Sequence, residues 1–135
     1  MQRSELGPVL EKLELLEGRT FSAALADAWF EILGEHTEAD ALAAVLAFHS
    51  KPFKRPAYPG DIKEHILEVE SVRLMRCGTL EANEAEWFNG STADVYRQLR
   101  RLISAGDWSP NDYRLYRRSE LTLDQYLTAQ GSPVG

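Results

Sequence analysis

The sequence predicts an all-α protein, a small bundle of four N-terminal helices followed by a short, mainly helical C-terminal extension. Apolar residues recur at three- and four-residue spacing through most of the chain, Ser, Thr or Asp stands before those runs, and glycines close them. Hydrophobic residues at 44% and charged residues at 27% are ordinary values for a folded chain and argue against disorder. The length, 135 residues, suits one domain with an appendage, read as a bundle over residues 1–78 and an extension over 79–135.

Leu6, Val9, Leu10, Leu13 and Leu16 mark the first helix, with Pro8 tolerated in its first turn and Gly18 at its end. Thr20 or Ser22 caps the second, whose apolar face is Leu25, Trp29, Ile32 and Leu33 before Gly34. Thr37 with Asp40 resembles a capping box and opens a third helix, rich in strong helix formers, over about Glu38 to His49. The connector KPFKRPAYPGDI follows; Pro52 and Pro56 disfavour helix before them, so it stays extended until Pro59 and Asp61 start the fourth helix. That helix carries Ile62, Ile66, Val69, Val72 and Leu74 or Met75, and stops at Gly78. Phe53 and Tyr58 are expected to pack the connector onto the third and fourth helices.

Residues 78–90 are acidic, contain Trp87 and end on the turn signal Asn89-Gly90. Ser91 or Thr92 caps a fifth helix over about 92–104, with Val95, Leu99, Leu102 and Ile103 on one side and Arg97, Arg100 and Arg101 mostly on the other. Ser109-Pro110 pairs a cap with a proline at the first helical position, so NDYRLYRR reads as a short helix; alternation of Tyr113, Leu115 and Arg117 also permits a strand. Thr122 with Gln125 starts a last short helix through Leu127, and GSPVG is a frayed end.

The net charge of -6 is unevenly spread: residues 1–86 hold 9 Lys+Arg against 16 Asp+Glu, and residues 87–135 hold 6 against 5. An acidic chain is a poor non-specific binder of nucleic acid. Residues 93–118 are the local exception, with six arginines against Asp94, Asp107 and Asp112. The lone Cys77 makes no internal disulfide, the N-terminal apolar run is interrupted by acids, and no window is long enough to span a bilayer. A cytoplasmic protein with no membrane partner is expected.

His36, His49, His65 and Cys77 have no metal-ligand spacing, and neither a G-x-S-x-G nucleophile motif nor a glycine-rich phosphate loop is present. Glu64 and Glu68, one helical turn apart, read as a solvated face. The expectation is a protein that is not an enzyme, with no cofactor and no metal. The candidate partner-binding residues are Lys51, Lys54 and Arg55 in the connector, and Arg97, Arg101, Trp108, Tyr113, Arg114, Arg117 and Arg118 in the C-terminal half. Arginines interleaved with aromatics suit a protein interface, and also base stacking and phosphate pairing. The fifth helix, the turn SAGDW and the helix after it have helix-turn-helix spacing, with Asn111, Arg114 and Arg118 towards a groove.

Trp29-x-x-x-Leu33, then Ala44-Val45, His49 and Tyr58-Pro59-Gly60-Asp61-Ile62, resembles the N-terminal part of helicase-loader-type replication proteins of tailed phages, over about residues 5–75. The resemblance implies an all-helical adaptor that contacts a replicative helicase and an origin-binding initiator, loading one with the help of the other. Loaders reach the helicase with a flexible C-terminal segment, whereas residues 91–127 here have the pattern of folded helices. Two other functions fit the same residues: a DNA-binding regulator using the C-terminal arginines, and a host-takeover inhibitor that grips a bacterial protein.

Overall fold

The structure, a computed structural model, describes residues 1–52, 55–88 and 92–130. Every regular element among them is helical: α1 (Leu6–Glu17), α2 (Ala23–Leu33), α3 (Glu38–His49), α4 (Pro59–Cys77), α5 (Thr92–Ser104), α6 (Pro110–Ser119) and α7 (Leu123–Ala129), with short 3₁₀ turns at Arg3–Glu5 and Glu84–Phe88. The protein is all-α, and the segment whose alternation also permitted a strand is helix α6. Asn89-Gly90, Ser91, Phe53, Lys54 and the GSPVG end lie outside the described residues.

The chain forms two compact units, Met1–Val69 and the residues from Glu70 onward, divided within α4. Each unit has its own apolar cluster. The layout of four helices with an extension is thereby corrected: α5, α6 and α7, with Leu74 and Cys77 of α4, enclose a second core. Its bulk is aromatic, since Tyr113, Tyr116 and Tyr126 are all buried there and anchor α6 and α7.

In the first unit, caps fix the helix starts. Ser22 Oγ accepts from the Leu25 amide (3.1 Å) and Thr37 Oγ1 from the Asp40 amide (3.2 Å), while Gly18 closes α1 in the left-handed region at φ 68°. Helices α1 and α3 run parallel. The Met1 amine before α1 donates to Gly34 O (2.7 Å) and His36 O (2.8 Å) just before α3, and Glu17 and His49 meet at the two C-terminal ends. Trp29, 2% exposed, sits edge-on to Phe21 with ring centroids 5.3 Å apart. The expected apolar faces are wider than the buried ones. Ala26, Trp29 and Leu33 turn inward on α2 and leave Leu25 and Ile32 on an exposed flank; Leu16, Val69, Val72 and Met75 are also exposed. Each lies at the edge of its helix's buried arc or beyond it, where a spacing rule counts it but packing does not reach it.

In the second unit, α5 buries Val95, Leu99 and Ile103. Two capping boxes, Ser109 with Asp112 and Thr122 with Gln125, open α6 and α7. Trp108 packs between Tyr116 and Tyr126 at centroid distances of 6.0 and 5.8 Å. The segment before the second 3₁₀ turn is fastened to α6 by polar contacts. The Asn83 side-chain amide donates to Tyr116 O (2.8 Å) and Leu121 O (2.9 Å), its backbone N–H donates to Tyr116 Oη (3.0 Å), and Tyr113 Oη accepts from the Glu81 amide (2.7 Å). Buried Glu86 accepts from the Leu123 amide at the start of α7. No helix among the described residues is long and apolar enough to cross a membrane.

Candidate functional site

The connector is the first candidate surface, and its geometry is mostly internal. Asp61, in the first turn of α4, accepts from the Tyr58 amide (2.8 Å) and from both terminal nitrogens of Arg55 (2.9 Å each). The Arg55 guanidinium holds the Asp61 carboxyl down at about 2, against its ordinary 3.8, with the Tyr58 amide helping and partial burial opposing. Arg55 also lies over the rings of Phe48 (5.1 Å) and Tyr58 (5.8 Å). Its charge therefore also serves the start of α4. Tyr58 is 65% exposed and does not pack the connector down as expected. Of the basic trio, Lys51 is exposed, 5.9 Å from the Phe48 ring, and Lys54 lies outside the described residues.

Ala57 does the anchoring instead. Fully buried, it donates its N–H to Glu17 Oε2 (2.7 Å) and accepts through its carbonyl from Arg19 (2.8 Å). The same Glu17 oxygen accepts from His49 Nε2 (2.7 Å), and the Glu17 side chain is only 4% exposed. Arg19 Nε comes within 2.6 Å of Glu17 Oε1, close enough for charge attraction but not aligned as a hydrogen bond. The guanidinium covers Phe21 at 4.6 Å. One carboxylate thus joins the ends of α1 and α3 to the middle of the connector. Sequence reading passed over this group, although Glu17 ends α1, where the helix dipole disfavours an anion, and that misfit is a signal of a tertiary partner.

A small polar pocket of about 110 Å³ opens beside the connector, lined by Phe48, Lys51, Arg55, Asp61, Glu64, His65 and Glu68. Each histidine has its own surroundings. His36 is buried with Nε2 3.1 Å from the Lys63 ammonium and 3.5 Å from Glu35 Oε1, and Lys63 also pairs with Glu35. His49 is held by Glu17, and His65 Nε2 is shielded without a hydrogen-bond partner among the described residues. Among the described residues no group of three or more His, Cys, Asp or Glu is arranged to hold a metal ion. Burial pushes the half-buried Cys77 thiol up, with Arg114 opposing.

In the second unit the seven sequence candidates part company. Tyr113 is buried, Trp108 packs into the tyrosine cluster, and Arg117 donates to Asn83 Oδ1 (2.9 Å) and pairs with Glu81 (3.1 Å). Tyr113, Tyr116 and Arg117 share the inward side of α6, so all three of these candidates have contacts inside the second unit. Arg97 is exposed and pairs with Asp94 one turn earlier (3.2 Å). Arg101, Arg114 and Arg118 are exposed with no ion pair among the described residues, as are Arg76 and Arg100. Residues 70–135 contain eight arginines and no lysine. The same unit exposes large apolar side chains: Trp87 at 62% exposure, Met75 at 77% and Leu115 at 42%. A wide depression, lined by Asn83, Glu84, Ala85, Arg117 and Glu120, borders the C-terminal end of α6.

No protein-family model, no curated protein and no solved structure matches this chain.

Proposed function

We propose that this chain is a non-enzymatic adaptor that binds a bacterial or phage replication protein of the replicative-helicase class. The observation that carries the reading is the make-up of the second unit's surface. Exposed Trp87 and Met75 accompany five exposed arginines, Arg76, Arg100, Arg101, Arg114 and Arg118, that have no ion-pair partner among the described residues. Trp, Met and Arg are the types that protein interfaces gather, and Trp and Arg supply a large share of their strongest contacts. The class of partner comes from the resemblance over residues 5–75. The test is size-exclusion chromatography of the chain with a replicative helicase at micromolar concentration: co-elution is expected, and separate elution overturns the reading.

A second reading rests on α6, whose solvent side presents Asn111, Arg114 and Arg118 together: a regulator that binds duplex DNA. Titration with a duplex at two salt concentrations tests it, because phosphate contacts release counterions and affinity must fall as salt rises. An inhibitor of a host protein would use the same surface. Growth of a bacterial host expressing the chain, with and without Arg114→Glu and Arg118→Glu, tests that use; growth unaffected in both cases removes it.

A further inference from the structure

We infer that the solvent face of α6 is a docking strip for a carboxylate-rich, amphipathic segment of a partner protein, in which Arg114 and Arg118 each grip an acidic side chain and Leu115 meets an apolar one. The inference rests on the adaptor reading and supplies its contact chemistry.

Helix geometry places Arg114 and Arg118 one turn apart, about 6 Å along the axis, on the side opposite buried Tyr113 and Tyr116, with Leu115 beside them. Neither arginine has an ion-pair partner among the described residues, and both are exposed, so their charges face solvent. Their spacing matches two glutamates at i and i+4 of an acidic helix. A guanidinium grips a carboxylate in two parallel hydrogen bonds, which a lysine ammonium cannot do, and every cation of residues 70–135 is an arginine.

The strip is also held still before any partner arrives. The Ser109–Asp112 capping box fixes the start of α6, and Asn83 and Glu81 fasten its inner side through Tyr116 and Arg117. A face that is already rigid loses little freedom on binding. Two observations favour a protein over a nucleic-acid duplex. An exposed Leu115 stands inside the arginine cluster, where a phosphate backbone has nothing apolar to offer it. Residues 70–135 also carry nine acidic residues against eight arginines, so the unit has no net positive field to draw in a polyanion.

The experiment is fluorescence anisotropy of the full chain against a fluorescein-labelled helical peptide with Glu at i and i+4 around a Leu. Saturable binding is expected. It should weaken at least about tenfold with Arg114→Glu plus Arg118→Glu, and severalfold with Leu115→Ser, which leaves the charges in place. Lys12→Glu, a surface charge change in the first unit, should leave it unchanged. Circular dichroism confirms that each variant is folded. No peptide binding, equal binding by the reversal variant, a labelled DNA duplex that binds more tightly than the peptide, or a self-association that the reversal abolishes each overturns the strip. The reversal variant is also run with the helicase. Equal co-elution of variant and wild type removes the strip and leaves the adaptor reading standing. Peptide binding without a helicase complex keeps the strip and removes that class of partner.

Discussion

Replacing Glu17 by Met tests whether one buried carboxylate fastens the connector. Met fills a similar volume but accepts no strong hydrogen bond, so the Ala57 amide loses its 2.7 Å acceptor and His49 loses its own. Arg19 is left beside an apolar side chain. Removing one partner of a buried ion pair costs about 3–5 kcal/mol. Arg19 is 28% exposed and keeps its bond to Ala57 O, so water and that carbonyl offset part of the loss, and we expect about 3 kcal/mol. Arg19→Met alone strands the carboxylate instead. The double variant removes both charges and should fall short of the sum of the singles by at least about 1 kcal/mol, because an apolar replacement of a whole pair costs less than half of one. Urea unfolding followed by circular dichroism gives the stabilities, and amide hydrogen exchange at Ala57 reports the connector itself, which matters where two units can unfold separately. A Glu17→Met protein within about 0.5 kcal/mol of wild type, with Ala57 equally protected, would refute the role given to this group.

Asn83→Ala removes two donors to buried carbonyls and the acceptor of Arg117, and should destabilise the second unit by about 2–3 kcal/mol in urea unfolding. The Asp61 carboxyl sits at about 2 when folded and 3.8 ordinarily, so its contribution is complete above about pH 4 and lost as pH falls through 2. With solvent screening that contribution is about 1 kcal/mol, and the difference in urea midpoint between Asp61→Asn and wild type should shrink between pH 6 and pH 2. Glu120 closes α6 in the left-handed region at φ 59°, so Glu120→Gly should raise stability by about 0.5–1 kcal/mol; a lower melting temperature would show that its side chain is needed there. Trp87→Phe should reduce acrylamide quenching of the tryptophan fluorescence and change stability by no more than about 0.5 kcal/mol, since Trp29 is buried and Trp108 is packed.

The helices were legible where a cap, a run of good formers and a stop coincide. Thr37 and its followers predict α3 as Glu38–His49, and those are its bounds. Burial was less legible, because spacing identifies a face without saying how much of it is covered, and Leu25 and Ile32 fell just outside. Arg114 and Arg118 follow from the periodicity of α6 once Tyr113 and Tyr116 are placed inside. Arg117 follows as well, one turn from Tyr113 on the inward edge, where it meets Asn83 and Glu81. The tie from Asn83 to Tyr116 spans 33 residues and has no local sign, since an Asn before a short acidic segment looks like an ordinary loop residue.

The absence of lysine from residues 64–135 has a practical consequence. Reagents that acylate amines find their side-chain targets only at Lys12, Lys51, Lys54 and Lys63, so biotin or a dye coupled through an amide bond leaves α5, α6 and α7 chemically untouched. A chain immobilised in that way is suited to presenting the second unit unmodified to a partner. An amine-to-amine cross-link to that partner would report a neighbour of the first unit only. Any cellular lysine acetylation within this sequence would likewise fall on the first unit and leave the arginine surface with its charge intact.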